Sequence, residues 1–273
     1  MKINDFDFYK DLLMEKSGLV ITPEKTYLLI SRLSPVVKKW EFESIDQMTF
    51  TLRGLPDKQL VQDIVEAMTT NETSFFRDLK PFDLFRDTII PELVEARKDT
   101  KSIRIWCAAC SSGQEPYSLA MLMKEEPLAS KLAGYKVEIV ATDISEDILK
   151  HANEGLYTQF EVQRGLPIAL LMKYFSQEGE KWRIKPEIKQ NIKYSNFNLL
   201  KPMSSLGGSF DVIFCRNVLI YFDQETKKDI LERMSTILKP DGFLFLGGSE
   251  TVLGITDALK LKENTRGLYI HNK

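Results

Sequence analysis

The chain has few thiols and imidazoles: three cysteines and two histidines in 273 residues. Cys107 and Cys110 form a C-x-x-C, but no second such pair exists, and His151 and His271 lie far from it and from each other. A tetrahedral zinc site therefore lacks two ligands at suitable spacing. The pair reads either as a redox or half-zinc motif or as two small buried residues in a strand-to-helix turn, and these absences favour the turn. An odd cysteine count with no secretory leader points to reduced thiols. Basic excess is also missing. The 37 Lys and Arg face 39 Asp and Glu, for a net charge of -2, which argues against a general nucleic-acid binder. No apolar run approaches the ~20 residues that span a bilayer. The opening MKINDFDFYKDLLMEK is too charged for the core of a signal peptide. A cytoplasmic protein, with no membrane insertion and compatible with a monomer, is expected. There is no internal repeat and no low-complexity tract. What is present, 43% hydrophobic and 28% charged residues, is ordinary for a soluble globular chain. Its length accommodates one large α/β domain plus a smaller one.

Up to about Pro81 the pattern is helical. Phe6, Tyr9, Leu12 and Leu13 recur at helical spacing, as do Leu28, Leu29, Leu33, Val36 and Val37, and later Leu60, Ile64, Val65 and Met68. Pro23 suits the first position of the second helix, and Gly54-Leu55-Pro56 breaks the periodicity. From about residue 100, strands alternate with helices. Strands are expected at Ile103–Trp106, Val137–Thr142, Asp211–Cys215, Phe243–Leu246 and Leu268–His271. Helices are expected at Glu115–Glu125, Glu146–Ala152 and Gln224–Leu238. That alternation implies βαβ units and a mostly parallel sheet. Leu259–Lys262 and Leu268–His271 flank a turn and predict an antiparallel hairpin. Between Gly155 and Asn198 the rhythm is interrupted, with short strands expected at Trp182–Lys185 and Asn191–Tyr194. An insertion of this kind carries function or partner contacts more often than core.

The most informative stretch is Ile103 to Tyr117, IRIWCAACSSGQEPY. It reads as strand, small-residue turn, then a helix carrying Glu115. The crevice beyond the carboxyl end of a first strand is where nucleotide-like ligands bind in open α/β sheets, and small residues let backbone approach them closely. A glutamate there would repel a pyrophosphate. It suits a ligand that is cationic or rich in hydroxyls, and S-adenosylmethionine is both. Asp143, at the end of the next strand, could accept hydrogen bonds from ribose hydroxyls or could cap the following helix, a task for which Ser145 is equally suited. Arg216 and Asn217 stand at the carboxyl end of a further strand, as ligand groups or as surface loop. Tyr221 beyond them could simply pack. Asn71-Glu72-Thr73-Ser74-Phe75-Phe76-Arg77-Asp78 joins the helical and α/β parts, either as a capped linker helix with its phenylalanines in the core or as a wall from which Arg77 reaches a crevice.

Taken together, NETSFFRD, WCAACSSGQEPYSLAM, ATDIS and FDVIFCRNVLIYF, in this order and spacing, closely resemble the CheR-type chemotaxis methyltransferases. The resemblance extends to GLY at 155–157, NFNLL at 196–200 and LKPDGFLFLGGSE at 238–250, and so covers essentially the whole chain. One departure is GQEP in place of the commoner GEEP, with Glu115 retained. The resemblance implies a Rossmann-like α/β methyltransferase sheet (residues 81–273) with a small inserted β-subdomain (155–195) and an N-terminal helical domain with linker (1–80). It implies S-adenosylmethionine as cofactor, S-adenosylhomocysteine as product, and chemoreceptor cytoplasmic helices as partners whose glutamates are methylated. By the same resemblance, Asn71, Thr73 and Arg77 line the cofactor site from the linker. Glu115 and Asp143 hold the methionine and ribose parts. Asn198 and Leu199 lie beside the adenine, and Arg216 and Asn217 near the cofactor. Arg77 and Tyr221 orient the incoming glutamate.

The family's helical domain meets the receptor through a basic face. Lys25, Arg32, Lys38 and Lys39 are the candidates here, beside the alternative of an ordinary solvated face shared with Glu24, Glu41 and Glu43. The loop Gln177–Lys181 is short and resembles members that work without a receptor tail tether. Two other readings stay in view: a methyltransferase acting on another protein or a small molecule, since fold does not fix substrate, and a non-catalytic cofactor-binding module. Arg77 and Tyr221 speak against the last, which has no need of both.

Overall fold

The computed structural model describes residues 3–272. The chain divides into two compact units: residues up to Thr70 together with Tyr221–Thr226, and Asn71–Ile220 together with residues from Lys227 onward. The sequence groups residues 71–80 with the helical part. They fold into the second unit instead, because Phe75 and Phe76 are buried in its core.

The first unit contains α1 (Ile3–Ser17), α2 (Thr26–Lys39), α3 (Ile45–Arg53) and α4 (Lys58–Met68). Pro23 opens a 3-10 turn, Pro23–Lys25, rather than α2 itself. The periodic residues Tyr9, Leu13, Leu29, Leu33, Leu60 and Ile64 are buried, as the amphipathic pattern requires. Side-chain caps start two of the helices: Ser44 accepts from the Gln47 amide, and Asp57 accepts from those of Gln59 and Leu60. At the far end of α4, the Arg32 guanidinium donates to the Met68 and Thr69 carbonyls at 2.6 and 3.0 Å, satisfying groups that a helix C-terminus leaves unpaired.

The second unit carries strands β1 (Ser102–Ala108), β2 (Lys136–Asp143), β3 (Leu156–Thr158), β4 (Phe175–Glu178), β5 (Lys181–Ile184), β6 (Ile192–Asn196), β7 (Phe210–Cys215), β8 (Leu238–Leu246), β9 (Leu259–Leu261) and β10 (Leu268–His271). Its helices are α5 (Lys80–Leu84), α6 (Ile90–Ala96), α7 (Gln114–Lys124), α8 (Leu128–Lys131), α9 (Glu146–Glu154), α10 (Gln159–Gln163), α11 (Ile168–Tyr174), α12 (Pro186–Lys189) and α13 (Gln224–Ile237), the last beginning within the first unit. Seven strands form one sheet in the order β6-β2-β1-β7-β8-β10-β9. Pairings from β6 to β8 are parallel; β10 is antiparallel to both β8 and β9, as the expected hairpin requires. After β1 the chain builds outward through β2 and β6, then returns to β7 on the other side, so strand order reverses between β1 and β7. The register aligns Ala108 with Thr142 and Cys215, Asp143 with Asn196, and Cys215 with Leu246. The carboxyl ends of five strands thus meet at one edge, at the switch point where α/β folds bind ligands.

A second, three-stranded antiparallel sheet, β3-β5-β4, forms the insertion. The sequence assigns residues through 195 to that insertion. β6 instead leaves it and forms the edge of the large sheet beside β2. An aromatic column ties the linker side to the sheet. Phe214 stacks on Phe245 at 4.4 Å, Phe82 lies 6.3 Å from Phe214, and Phe76 meets Phe82 edge-on.

Candidate active site

Between β1 and α7 the backbone is left-handed three times in five residues: Ala109 (φ 58°), Ser111 (φ 51°) and Gly113 (φ 90°). Such conformations cost roughly 1–2 kcal/mol for a residue with a Cβ and concentrate at functional sites. Local bonds hold the loop in place. The Cys110 amide donates to Thr142 O at 2.8 Å, and the Ser111 amide to Asp143 Oδ2 at 2.9 Å. Ser111 Oγ donates to Asn71 O at 2.9 Å, which ties the linker to the loop. Gly113 has no substitute here: a Cβ would sit 2.9 Å from Tyr194 Oη and 3.0 Å from Ala152 Cβ, in a backbone conformation side chains resist.

Asp143 is buried at the end of β2. Its two carboxylate oxygens accept from Ser111 and Ser145 amides, while Ser145 Oγ caps α9 through the Ile148 amide. The cap is therefore Ser145, and Asp143 faces the loop between β1 and α7. Glu115, on the first turn of α7, receives Arg216 Nη1 at 2.8 Å. Burial pushes its carboxyl above the ordinary glutamate range, against the pull of Arg216 and, more weakly, Arg77.

Arg216 follows β7 and its side chain is 2% exposed. Its Nη2 also donates to Arg77 O (2.9 Å) and to Asp78 Oδ2 (2.7 Å). This buried guanidinium therefore joins three places: the strand end, the α7 glutamate and the linker. The linker is a turn and not the capped helix. Both phenylalanines are buried, and Phe76, Asp78 and Leu79 have left-handed φ values of 49°, 68° and 48°. Arg77 Nη1 donates to Glu72 O at 2.8 Å. Asn71 is exposed, and Thr73 and Arg77 are half-buried.

Asn217 stands at φ 59° just beyond Arg216. The turn it opens is held by a residue the sequence did not single out. The buried carboxylate of Glu250 accepts four backbone N–H groups, from Asn217, Val218, Leu219 and Gly247, at 2.6–2.9 Å. Asn198 and Leu199 follow β6 at the same sheet edge. Asn198 Oδ1 accepts from the Leu200 amide, and the Leu199 carbonyl accepts from Arg233. Linker, loop, Asp143, Glu115, Arg216, Asn217, Asn198 and Leu199 thus share one unit, whereas Tyr221, whose carbonyl accepts from the Val20 amide, belongs to the other. Asp78, Glu250 and Tyr157 carry contacts that the sequence does not assign, although each stands inside a motif: NETSFFRD, LKPDGFLFLGGSE and GLY respectively.

The donor set fits S-adenosylmethionine. Asp143 presents carboxylate oxygens suited to ribose hydroxyls, and Glu115 a carboxylate suited to a cation. Arg216 Nε is buried without a hydrogen-bond partner among the described residues, so it can supply a donor to the anionic end of an amino-acid moiety. Cys107, Cys110 and Cys215 are free and buried, and burial holds their thiols well above the ordinary range.

A family model described as CheR methyltransferase, SAM binding domain, matches residues 71–268. Chemotaxis protein methyltransferase Cher2 of Pseudomonas putida is 39% identical over 272 residues, covering 98% of each chain. Chemotaxis protein methyltransferase 1 of Pseudomonas aeruginosa is 40% identical over 276 residues, again with 98% of each covered. A chemotaxis protein methyltransferase of Borreliella burgdorferi is 36% identical over 241 residues, covering 87% of this chain and 84% of its own.

Proposed function

Because the chain belongs to the CheR methyltransferase family, and is thereby a S-adenosylmethionine-dependent methyltransferase of chemotaxis, we propose that it esterifies glutamate side chains on the cytoplasmic helices of chemoreceptors. The observation that carries this reading is the buried Arg216, bonded at once to Glu115 and to the linker that bears Arg77.

S-adenosylmethionine, when bound, supplies an electrophilic methyl carbon. An acceptor glutamate has an ordinary pKa of ~4.3 and is already ionised at neutral pH, so the protein needs no general base. What its residues do is hold and orient. Asp143 and Glu115 grip the cofactor's hydroxyl and cationic groups, with Asn71, Thr73, Asn198, Leu199 and Asn217 completing the walls. Arg77 and Tyr221 orient the acceptor carboxylate by hydrogen bonds, since a tight ion pair would dull the nucleophile. Orientation of this kind can lower a barrier by up to ~7–11 kcal/mol.

In the same proposal the helices up to Thr70 serve receptor docking and the unit that starts at Asn71 serves catalysis, in a cytoplasmic monomer that acts on protein rather than nucleic acid. No helix among the described residues is long and apolar enough to cross a membrane. Tether independence is part of the proposal, supported by the two-residue turn Gly179-Glu180 between β4 and β5.

Incubation with methyl-labelled S-adenosylmethionine and receptor cytoplasmic fragments tests the whole reading. Base-labile label on receptor glutamates is the expected result. Cofactor binding without transfer to any receptor fragment overturns it and leaves a methyltransferase of another substrate, or a binding module.

A further inference from the structure

The inserted subdomain is rooted in the walls of the site. Tyr157, in β3, is fully buried, and its hydroxyl donates to the Ser112 carbonyl at 2.6 Å. Its ring packs edge-on against Phe75 at 5.1 Å and Tyr117 at 6.2 Å. Eight residues on, Gly165 is left-handed (φ 82°), and a Cβ there would overlap the Phe75 carbonyl oxygen. Between them, Arg164 forms an ion pair with Glu72. Within ten residues, then, the root of the insertion holds both the β1–α7 loop and the linker.

The Tyr157 bond falls on the most consequential peptide of that loop. Ser112 stands between two left-handed residues, so its carbonyl direction is not set by a regular ladder. The same peptide plane carries the Gly113 amide, which donates to Cys110 O at 3.0 Å and closes the turn. Gly113 is also the N-cap of α7, whose first turn bears Glu115. Fixing the Ser112 carbonyl therefore fixes the turn and the helix start. Burial holds the Tyr157 hydroxyl well above its ordinary range, so it remains a donor.

We infer that Tyr157 is a positioning residue for the cofactor, acting from the inserted subdomain through the Ser112–Gly113 peptide. The subdomain is in this view part of the cofactor site's support as well as a surface for partners. The inference rests on the reading of the β1–α7 loop as the cofactor loop.

Tyr157→Phe removes one hydroxyl and leaves the Ser112 carbonyl without that donor. Tyr135→Phe makes the same covalent change ahead of β2, where the hydroxyl donates to Val94 O at 2.7 Å. Calorimetry with S-adenosylhomocysteine on full-length folded protein should show about tenfold weaker binding for Tyr157→Phe, about 1.4 kcal/mol, with faster amide hydrogen exchange at residues 109–115 before ligand is added. Tyr135→Phe should bind as the wild type does, even if it melts earlier. Equal binding by Tyr157→Phe and wild type, or equal weakening in both variants, overturns the inference. A measurement on the wild type alone stands beside this in case Tyr157→Phe does not fold. Adding S-adenosylhomocysteine should slow exchange at 156–165 as well as at 109–115, and protection confined to the loop overturns the inference. A wild type with no affinity for the nucleoside instead overturns the cofactor reading itself, and this inference with it.

Discussion

Glu115 sits under opposed influences, and their balance sets a pH dependence. Burial raises its carboxyl, while the Arg216 guanidinium at 2.8 Å and Arg77 pull it down; Glu250 pushes it up further. A bound cation favours the ionised form, so cofactor binding releases a proton wherever Glu115 is protonated in the free protein. Affinity for S-adenosylmethionine should therefore rise with pH through the elevated titration range of Glu115 and level off above it. Calorimetry across the acid range checks this, and Glu115→Gln should flatten the profile while weakening binding. At Glu250, removing the carboxylate strands four backbone donors. Hydrogen bonds to charged groups contribute about 1.5–3 kcal/mol each, not additively. Glu250→Ala should thus cost at least about 3 kcal/mol in denaturant unfolding, whereas Glu95→Ala, in an exposed pair with Lys98, should stay within ~0.5 kcal/mol. For the proposed orienting pair, Arg77→Ala and Tyr221→Phe should lower the rate of methyl transfer by ~10²-fold at saturating cofactor. Unchanged kcat in both would remove them from that role.

Among the elements, α2 and the 3-10 turn before it carry basic residues of two kinds. Arg32 closes the end of α4, and Lys39 pairs with the nearly buried Asp63 at 2.7 Å. Lys25 and Lys38 are exposed. Replacing Arg32 by Ala should lower stability by about 1–3 kcal/mol, while Lys25→Ala with Lys38→Ala should leave the melting temperature unchanged and slow methylation of receptor fragments selectively. If the lysine pair changes nothing in that assay, the basic face is only solvated surface. Element type was largely legible in the sequence, because β1, β2 and β7 each carry an apolar run toward the carboxyl end, Ile105–Ala108, Ile139–Ala141 and Val212–Cys215, and the helices carry clear periodicity. Partnership was less so. β6 reads as Ile-Lys-Tyr-Ser-Asn, a polar edge strand, and nothing local says which sheet it joins. α3 escaped notice because nine residues opened by Ser44 leave a short periodic signal. β8 begins at Leu238, and the expected start at Phe243 falls short of it because Lys239-Pro240-Asp241-Gly242 reads as a turn.

For the whole molecule, the candidate site was legible where motif residues fall at strand ends on the sheet's carboxyl edge, as Asp143 and Arg216 do, or on the first turn of the helix that follows, as Glu115 does. It was illegible where function depends on pairing across the chain: Arg216 with Asp78, 138 residues apart, or Glu250 with Asn217, 33 apart. No spacing rule encodes such bonds. At this scale the tether question also becomes measurable. Receptors with and without their last residues should be methylated at equal rates, and tight, saturable binding of an isolated tail peptide would refute tether independence. The three buried thiols lead to a separate consequence. All of them lie in the α/β unit, at or just past the carboxyl ends of β1 and β7, and the helical unit has none. Iodoacetamide can reach them only when that unit opens, so mass-resolved alkylation works as a clock for one half of the chain while the other half stays silent. Ligand at 100 times its dissociation constant should slow that clock about a hundredfold, equivalent to about 2.7 kcal/mol.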